Sequence, residues 1–319
     1  MTRAIRIGTR GSALALWQST YVATRLAQIA PHIRTTVVEI SSRGDEITDQ
    51  PLSQVEGTGF FTATIERALA AGDVDIAVHS YKDLPVETTP GLVVAAVPER
   101  AAIEDVLCAR DGRTLLTLEA GARVGTCSAR RTAQMRALRP DFDLVDLRGN
   151  VPTRLARVTN GSLDAIVLAR AGLVRLGLDR HITDIFPIEQ ILPAPAQGAL
   201  AIECRAEDAW IRESLAPLED PETRRAVNAE RALLHALGGG CSVPVGAVAL
   251  RDGAELILRA GVFGISPARA IRVQLRGRDP IALGESAARD LLVRGATDIL
   301  DSFDKTARIE TSVMPGGRS

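Results

Sequence analysis

Two short stretches of this chain hold residues whose types and spacing could do chemistry. In the run from Leu237 to Gly246, Cys241 follows Gly238, Gly239 and Gly240 and precedes Ser242, Val243 and Pro244. Three glycines free the backbone and leave a thiol little local cover, so the loop could present sulfur for covalent work. The same glycines could equally cap a helix ending near Leu237, with Cys241 tucked beneath the turn. In the second stretch, Asp75 to Pro85, a buried-looking strand ends abruptly in His79, Ser80, Tyr81, Lys82 and Asp83, and Pro85 blocks smooth continuation. Asp83 could serve as general acid or base if desolvated, or steady a cationic intermediate if it stays ionised. It could also simply pair with Lys82 to close a turn. Lys82 stands out because every other cation is arginine except Lys305.

Five arginine-bearing segments fall where strands or helices begin or end. They are Thr9 to Ser12 with Arg10, Gly125 to Arg131 with Thr126, Ser128, Arg130 and Arg131, and Leu147 to Arg154 with Arg148, Gly149 and Asn150. Gly172 to Arg175 and Glu203 to Arg205 complete the set. In open α/β sheets, ligands bind beyond the carboxyl ends of strands, where helix N-termini offer amides to anions. A charge-assisted hydrogen bond contributes roughly 1.5–3 kcal/mol, so one or two arginines hold one anion and this many imply a polyanion. Arg136, Arg139 and Arg157 read instead as solvated helix-face charges.

The rest of the composition narrows the chemistry. Cys108, Cys127, Cys204 and Cys241 are widely spaced, with no neighbouring histidine at ligand spacing, which argues against zinc and against a disulfide framework. No Gly-x-Ser-x-Gly elbow accompanies His79, which disfavours a Ser-His-Asp hydrolase. A net charge of −1 gives no basic field for nucleic acid. With no apolar leader and no long apolar run, no membrane association is expected, and the chain is read as cytoplasmic.

Chain length, 319 residues, calls for more than one domain. Strand-like and helix-like segments alternate first: Ala4 to Thr9, Ser12 to Ile29, Arg34 to Ile40, Phe60 to Ala70 and Val74 to Val78. This predicts an α/β domain with a largely parallel sheet, Ser12 as N-cap and Gly72 as a helix stop. Ser41 to Gly59 reads as a long mobile loop. A second α/β set follows Pro98, with strands at 106–109, 123–125, 144–147 and 165–168 and helices at 128–138 and 151–159. A late strand, Ala199 to Glu203, placed back in the first domain would make two crossings and a hinged cleft. From Pro221 a helix (222–237), strands at 243–250, 255–262 and 270–275, a hairpin turn at Asp252-Gly253 and a helix at 284–294 predict a small α+β domain.

Taken together these segments resemble the porphobilinogen deaminases, also called hydroxymethylbilane synthases. The resemblance runs nearly end to end, through Thr9 to Gln18, His79 to Pro85, Arg148 to Val151, Leu192 to Gly198 and Gly239 to Cys241. It implies three domains: residues 1–98 plus 199–216, 103–193 and 221–319. The first two would be like a type II periplasmic binding protein, with the active site in the cleft between them. The resemblance further implies a dipyrromethane cofactor joined by a thioether to Cys241, with Ser80, Lys82, Asp83, Thr126, Ser128, Arg130 and Arg131 as its other contacts. Arg10, Ser12, Phe61, Arg148, Gly149, Asn150, Arg154, Arg175 and Gln197 would bind porphobilinogen and the lengthening chain. Asp83 would sit by the pyrrole nitrogens, promote loss of ammonia and steady the cationic azafulvene. Four condensations and a hydrolysis would release linear hydroxymethylbilane from a protein expected to be monomeric and to use no metal.

One departure from the family pattern stands out. Where the family commonly carries lysines in its mobile loop, this chain has Gln54 and Thr58, in a run that continues to Phe61. Weakened affinity for the anionic chain, with the chemistry intact, is the expected consequence. Two rival readings remain at this level: a polyanion-binding protein of the same two-lobed fold without catalysis, and a thiol enzyme using Cys241 as a turnover nucleophile. The second calls for a thiolate-stabilising neighbour, and none lies beside Cys241 in sequence.

Overall fold

The computed structural model describes residues 4–40, 62–239, 243–264 and 269–303. In the first sheet, β1 (Ala4–Thr9) lies between β2 (Arg34–Glu39) and β3 (Ile76–Ser80), parallel to both. The late strand β10 (Leu200–Arg205) returns to this sheet and runs antiparallel between β3 and β4 (Leu92–Ala96). The second sheet repeats that plan. There β6 (Arg123–Gly125) is parallel to β7 (Asp143–Val145) and β8 (Ala165–Ala169), and β5 (Asp105–Ala109) is antiparallel to β8 and β9 (Asp184–Ile185). In each sheet one antiparallel strand, β10 or β5, lies next to the edge strand, and each sheet is mixed rather than largely parallel. The two crossings expected from the late strand are present, at 97–104 and 192–199.

Local sequence explains most of the elements. Helix α1 (Ala13–Ile29) starts where Ser12 accepts a hydrogen bond from the Ala15 amide at 3.3 Å, and it buries Gln18, Ser19, Val22 and Leu26 on one stripe. Helix α2 (Ala63–Ala71) stops at Gly72, whose φ of +81° suits glycine. β3 sits two residues later than the apolar run predicts. Asp75 is occupied by Arg6, whose backbone and guanidinium both donate to its carboxylate, while β10 pairs with β3 as far as Ser80. In the second half, α3 (Ala129–Leu138) and α4 (Val151–Thr159) are capped by Ser128 and Asn150, and α5 (Arg170–Arg175) follows β8 directly. The sequence pattern gave no prediction for the edge strand β4 or for helix α6 (Ala209–Leu215), whose Ile211 and Leu215 pack against the first sheet.

The last third forms an antiparallel meander of β11 (Val245–Asp252), β12 (Glu255–Phe263) and β13 (Ala270–Gly277), backed by α7 (Pro221–Ala236) and α8 (Pro280–Val293). Leu233, Leu258, Ala260, Ala287 and Leu291 fill the space between. Each large apolar side chain buried there contributes roughly 1.5–3 kcal/mol. Asp252 pairs with Glu255 across the hairpin, and Gly253 takes a φ of +60°.

Helix α7 also holds the crossings. Glu230, fully buried, receives Arg100 Nη1 at 2.6 Å and Nη2 at 2.9 Å from the first crossing, the Ala196 amide at 2.6 Å from the second, and the Ala249 amide at 2.8 Å from β11. At Gly198, φ is +88° and an added Cβ would lie 2.7 Å from both the Ala101 and Ala102 carbonyl oxygens. The crossings pack backbone to backbone, and only glycine fits there.

Two arginines expected at ligand sites or on solvated faces do structural work instead. Arg205 lies at the end of β10 that faces the start of β3, where it bonds the Leu69 and Val74 carbonyls at 2.7 and 2.8 Å. It is at the opposite sheet edge from the carboxyl ends of β1 and β3, so it is not part of the anion site. Arg139 stacks 4.0 Å from the Phe142 ring centroid and bonds Leu118 O at 3.0 Å, tying a loop down rather than lying in solvent.

Candidate active site

The carboxyl ends of β1 and β3 share one edge of the first sheet, which places Arg10, Ser12, Ser80, Lys82 and Asp83 together. The carboxyl ends of β6, β7 and β8 place Thr126, Ser128, Arg148, Gly149, Asn150 and the start of α5 on one edge of the second. The edges meet. A Cβ on Gly172 of α5 would lie 3.8 Å from Leu14 of α1, and Arg175 sits 5.8 Å over the Trp17 ring while donating to Gly198 O at 2.7 Å.

At the junction, one hydrogen-bonded series links the two sheets. Lys82 Nζ donates to Gln197 Oε1 at 3.3 Å, and Gln197 Nε2 donates to Asp105 Oδ1 at 3.0 Å and to Ile103 O at 2.8 Å. Arg131 donates to Asp105 Oδ1 from Nε at 3.0 Å and Nη2 at 2.7 Å, and Arg130 Nη1 donates to Asp105 Oδ2 at 2.6 Å and to Leu192 O at 2.6 Å. Asp105 and Gln197 are fully buried, and Arg130 and Arg131 are 3% and 6% exposed. Burial by itself would raise the Asp105 carboxyl, but Arg130 and Arg131 hold it well below the usual carboxylate range. Burial lowers the Lys82 ammonium to about 8, with Asp83 pulling it upward and Arg131 adding to the fall. Lys82, Arg130 and Arg131 against buried Asp105 and exposed Asp83 leave a formal excess of one positive charge here, with cationic donors for a ligand bearing carboxylates.

The remaining expected residues surround this core in different ways. Ser128 caps α3, accepting the Arg131 amide at 3.4 Å, and buried Thr126 accepts the Ser128 amide at 3.3 Å. Asn150 caps α4 through the Thr153 amide at 2.9 Å, Gly149 takes a φ of +100°, and Arg154 Nε donates to Gly149 O at 2.6 Å. Arg148 lies 3.5 Å from Asp146. Ser80 accepts from buried Gln18 Nε2 at 2.7 Å. Asp83 is exposed at the end of the 3-10 turn Tyr81–Asp83. Burial lowers the Arg175 guanidinium to about 10. His79 turns inward, 3.1 Å from buried Glu203, away from the ligand edge. Phe61 and Cys241, with Gln54 and Thr58, lie outside the described residues.

Asp105 is the member of this cluster that the sequence reading passed over. It opens a strand in an apolar run, and one carboxylate at a strand start carries no pattern of its own. Its place between two consecutive arginines appears only when β5 pairs with β8 beside α3.

A pair of α/β lobes joined by two crossings, with a cationic cluster where their strand edges meet, is a two-lobed fold with a site suited to organic anions. Comparison with known proteins makes this specific. Residues 5–213 match the family model described as porphobilinogen deaminase, dipyromethane cofactor binding domain, and residues 224–293 match the porphobilinogen deaminase C-terminal domain. A porphobilinogen deaminase of Roseiflexus sp. (strain RS-1) is 48% identical over 94% of this chain and 99% of that protein. One of Xanthomonas campestris pv. campestris (strain B100) is 48% identical over 93% of this chain and 98% of that protein. The chain belongs to the porphobilinogen deaminase family. Among solved structures, the periplasmic aliphatic sulphonate binding protein SsuA of Escherichia coli overlaps with a TM-score of 0.37 and 17% identity, covering 73% of this chain and 70% of that one. Among the described residues, no helix is long and apolar enough to cross a membrane.

Proposed function

We propose that this chain condenses four porphobilinogen molecules head to tail, with release of ammonia, and hydrolyses off linear hydroxymethylbilane. The carrying observation is the Lys82–Gln197–Asp105–Arg130/Arg131 series. It gathers three cations from both lobes around one point, in excess of the carboxylates Asp105 and Asp83. The donor set fits a dipyrromethane, whose acetate and propionate side chains are carboxylates. Joined as a thioether to Cys241, that group supplies a pyrrole with a free α-position on which the product grows.

The chain's own residues would divide the work by position. Lys82, Arg130, Arg131, Ser128, Thr126 and Ser80 hold the anchored carboxylates. Arg10, Ser12, Arg148, Gly149, Asn150, Arg154, Arg175, Gln197 and Phe61 take the incoming substrate and the lengthening chain. Exposed on the ligand edge, the Asp83 carboxylate would lie by the pyrrole nitrogens, promoting loss of ammonia from the incoming porphobilinogen and balancing the positive charge that its departure leaves on the ring nitrogen. Binding each added pair of carboxylates among preset guanidiniums limits reorganisation during reaction. Gln54 and Thr58 lower the cation count available to the elongating product. Residues 1–98 plus 199–216, 103–193 and 221–319 form the three domains of a cytoplasmic monomer.

Family membership favours this reading over a polyanion binder without catalysis, and intact mass tests it. The protein should carry a dipyrromethane adduct that Cys241→Ser abolishes; an active protein without the adduct overturns the proposal. Asp83→Asn should keep the adduct at least in part and lose most turnover. Gln54→Lys with Thr58→Lys should lower the Michaelis constant, and an unchanged constant and elongation pattern would sink the loop argument.

A further inference from the structure

We infer that Arg231 is a positioning residue for the Lys82–Asp83 turn, fixing it against the helix that leads to Cys241. Arg231 projects from α7 onto the segment that follows β3. Its guanidinium lies 4.5 Å from the Tyr81 ring centroid. Nη1 donates to Tyr81 O at 3.4 Å and Leu84 O at 3.2 Å, while Nη2 donates to Pro85 O and to Val86 O at 3.4 Å. One side chain thus holds four carbonyls of the backbone that carries Lys82 and Asp83.

The turn needs such a hold. It is a single 3-10 turn, closed by the Leu84 amide on Tyr81 O at 3.3 Å, and Pro85 has no N–H to add. Asp83 is exposed at its end, so the side chain's direction follows from where the backbone is fixed. Arginine suits the task because its planar fork offers five N–H donors and stacks on an aromatic face. Lysine would keep the charge but reach fewer carbonyls.

The place of Arg231 on α7 adds a second consequence. The helix runs on to Ala236, and Cys241 lies ten positions beyond Arg231. Glu230, next along the same helix, holds both crossings. The turn bearing Asp83 and the two crossings are therefore both referenced to one rigid element. This inference rests on the proposed roles of Asp83 and Cys241. It assigns Arg231 no contact with substrate.

The test uses the full chain with Arg231→Lys and Arg231→Gln, and Arg225→Gln as a control on the same helix. Arg225 bonds Ala254 O and Arg278 O, away from the turn. Both Arg231 variants should retain the adduct by intact mass and show kcat lowered about 10–100-fold with KM within about threefold, the signature of misplaced rather than missing chemistry. Hydrogen exchange at 81–86 should accelerate in cofactor-free and loaded protein alike, with exchange in the second lobe unchanged. Where Arg231→Gln fails to fold, Arg231→Lys carries the same readouts. Wild-type exchange at 81–86, a KM rise with kcat unchanged, or an equal loss in Arg225→Gln would each overturn the inference. The underlying functional reading fails separately, if Asp83→Asn keeps full turnover, while exchange at 81–86 still reports the Arg231 hold.

Discussion

Replacing Asp105 by asparagine removes one charge from the centre of the site while keeping its shape. In the native arrangement Oδ1 accepts from Arg131 Nε, Arg131 Nη2 and Gln197 Nε2, and Oδ2 accepts from Arg130 Nη1 at 2.6 Å. Asparagine must point its amide N–H at one of these donors whichever way it turns. The two buried guanidiniums then lose their shared carboxylate. Removing one partner of a buried ion pair costs about 3–5 kcal/mol. At roughly 2–4 °C per kcal/mol for chains of this size class, the unfolding midpoint should fall by about 6–20 °C at neutral pH, measured by calorimetry on the cofactor-free protein. The pH dependence gives a further check. Because the folded carboxyl is held below its unfolded value, its stabilisation is fully present above the ordinary carboxylate range. It is lost only as pH falls through the depressed folded value. The gap between wild type and Asp105→Asn should therefore be level from about pH 5 upward and close toward strong acid. A midpoint change under about 2 °C, or a gap that widens on acidification, would refute the reasoning.

Other expected outcomes follow from the same geometry. Lys82 and Lys305 are the lysines of the chain, so peptide-mapped amine acetylation across pH should show a Lys82 midpoint near 8, and a midpoint above about 10 would contradict the burial argument. As the folded ammonium lies below the unfolded one, this group's contribution to stability should rise with pH between about 8 and the unfolded value of about 10.4. Glu230→Gln should destabilise by about 3–5 kcal/mol by denaturant titration, since it leaves Arg100 without its buried carboxylate. Gly198→Ala should destabilise by more than about 1 kcal/mol, because both its φ and the 2.7 Å approach to two carbonyls oppose a methyl group.

The elements were largely legible because period and caps are local. Ser12, Ser128 and Asn150 each precede a helix and accept from its first turn, and Val151–Thr159 is found where the pattern puts it. Boundaries shifted where a distant partner intervened, as at β3, where Arg6 takes Asp75 and β10 extends the pairing to Ser80. The arginines were harder. Equal side chains in similar runs ended at a ligand edge, as Arg130 did, or at the far edge of a sheet, as Arg205 did, because strand direction sets which end faces the cleft.

By itself the sequence determined the α/β class and the family resemblance, since both rest on motifs and spacing along the chain, whereas the late strand's return to the first sheet rests on its pairing with β3 and β4. Only the tertiary structure decided which charges meet. Asp105, Gln197 and Lys82 come from a strand start, a crossing and a turn, separated by tens of residues, and form one series only when the lobes are joined. Arg231 reaches the Asp83 turn across almost 150 residues for the same reason. Pairing between distant groups is a property of the packed sheets and helices, and local periodicity carries no record of it.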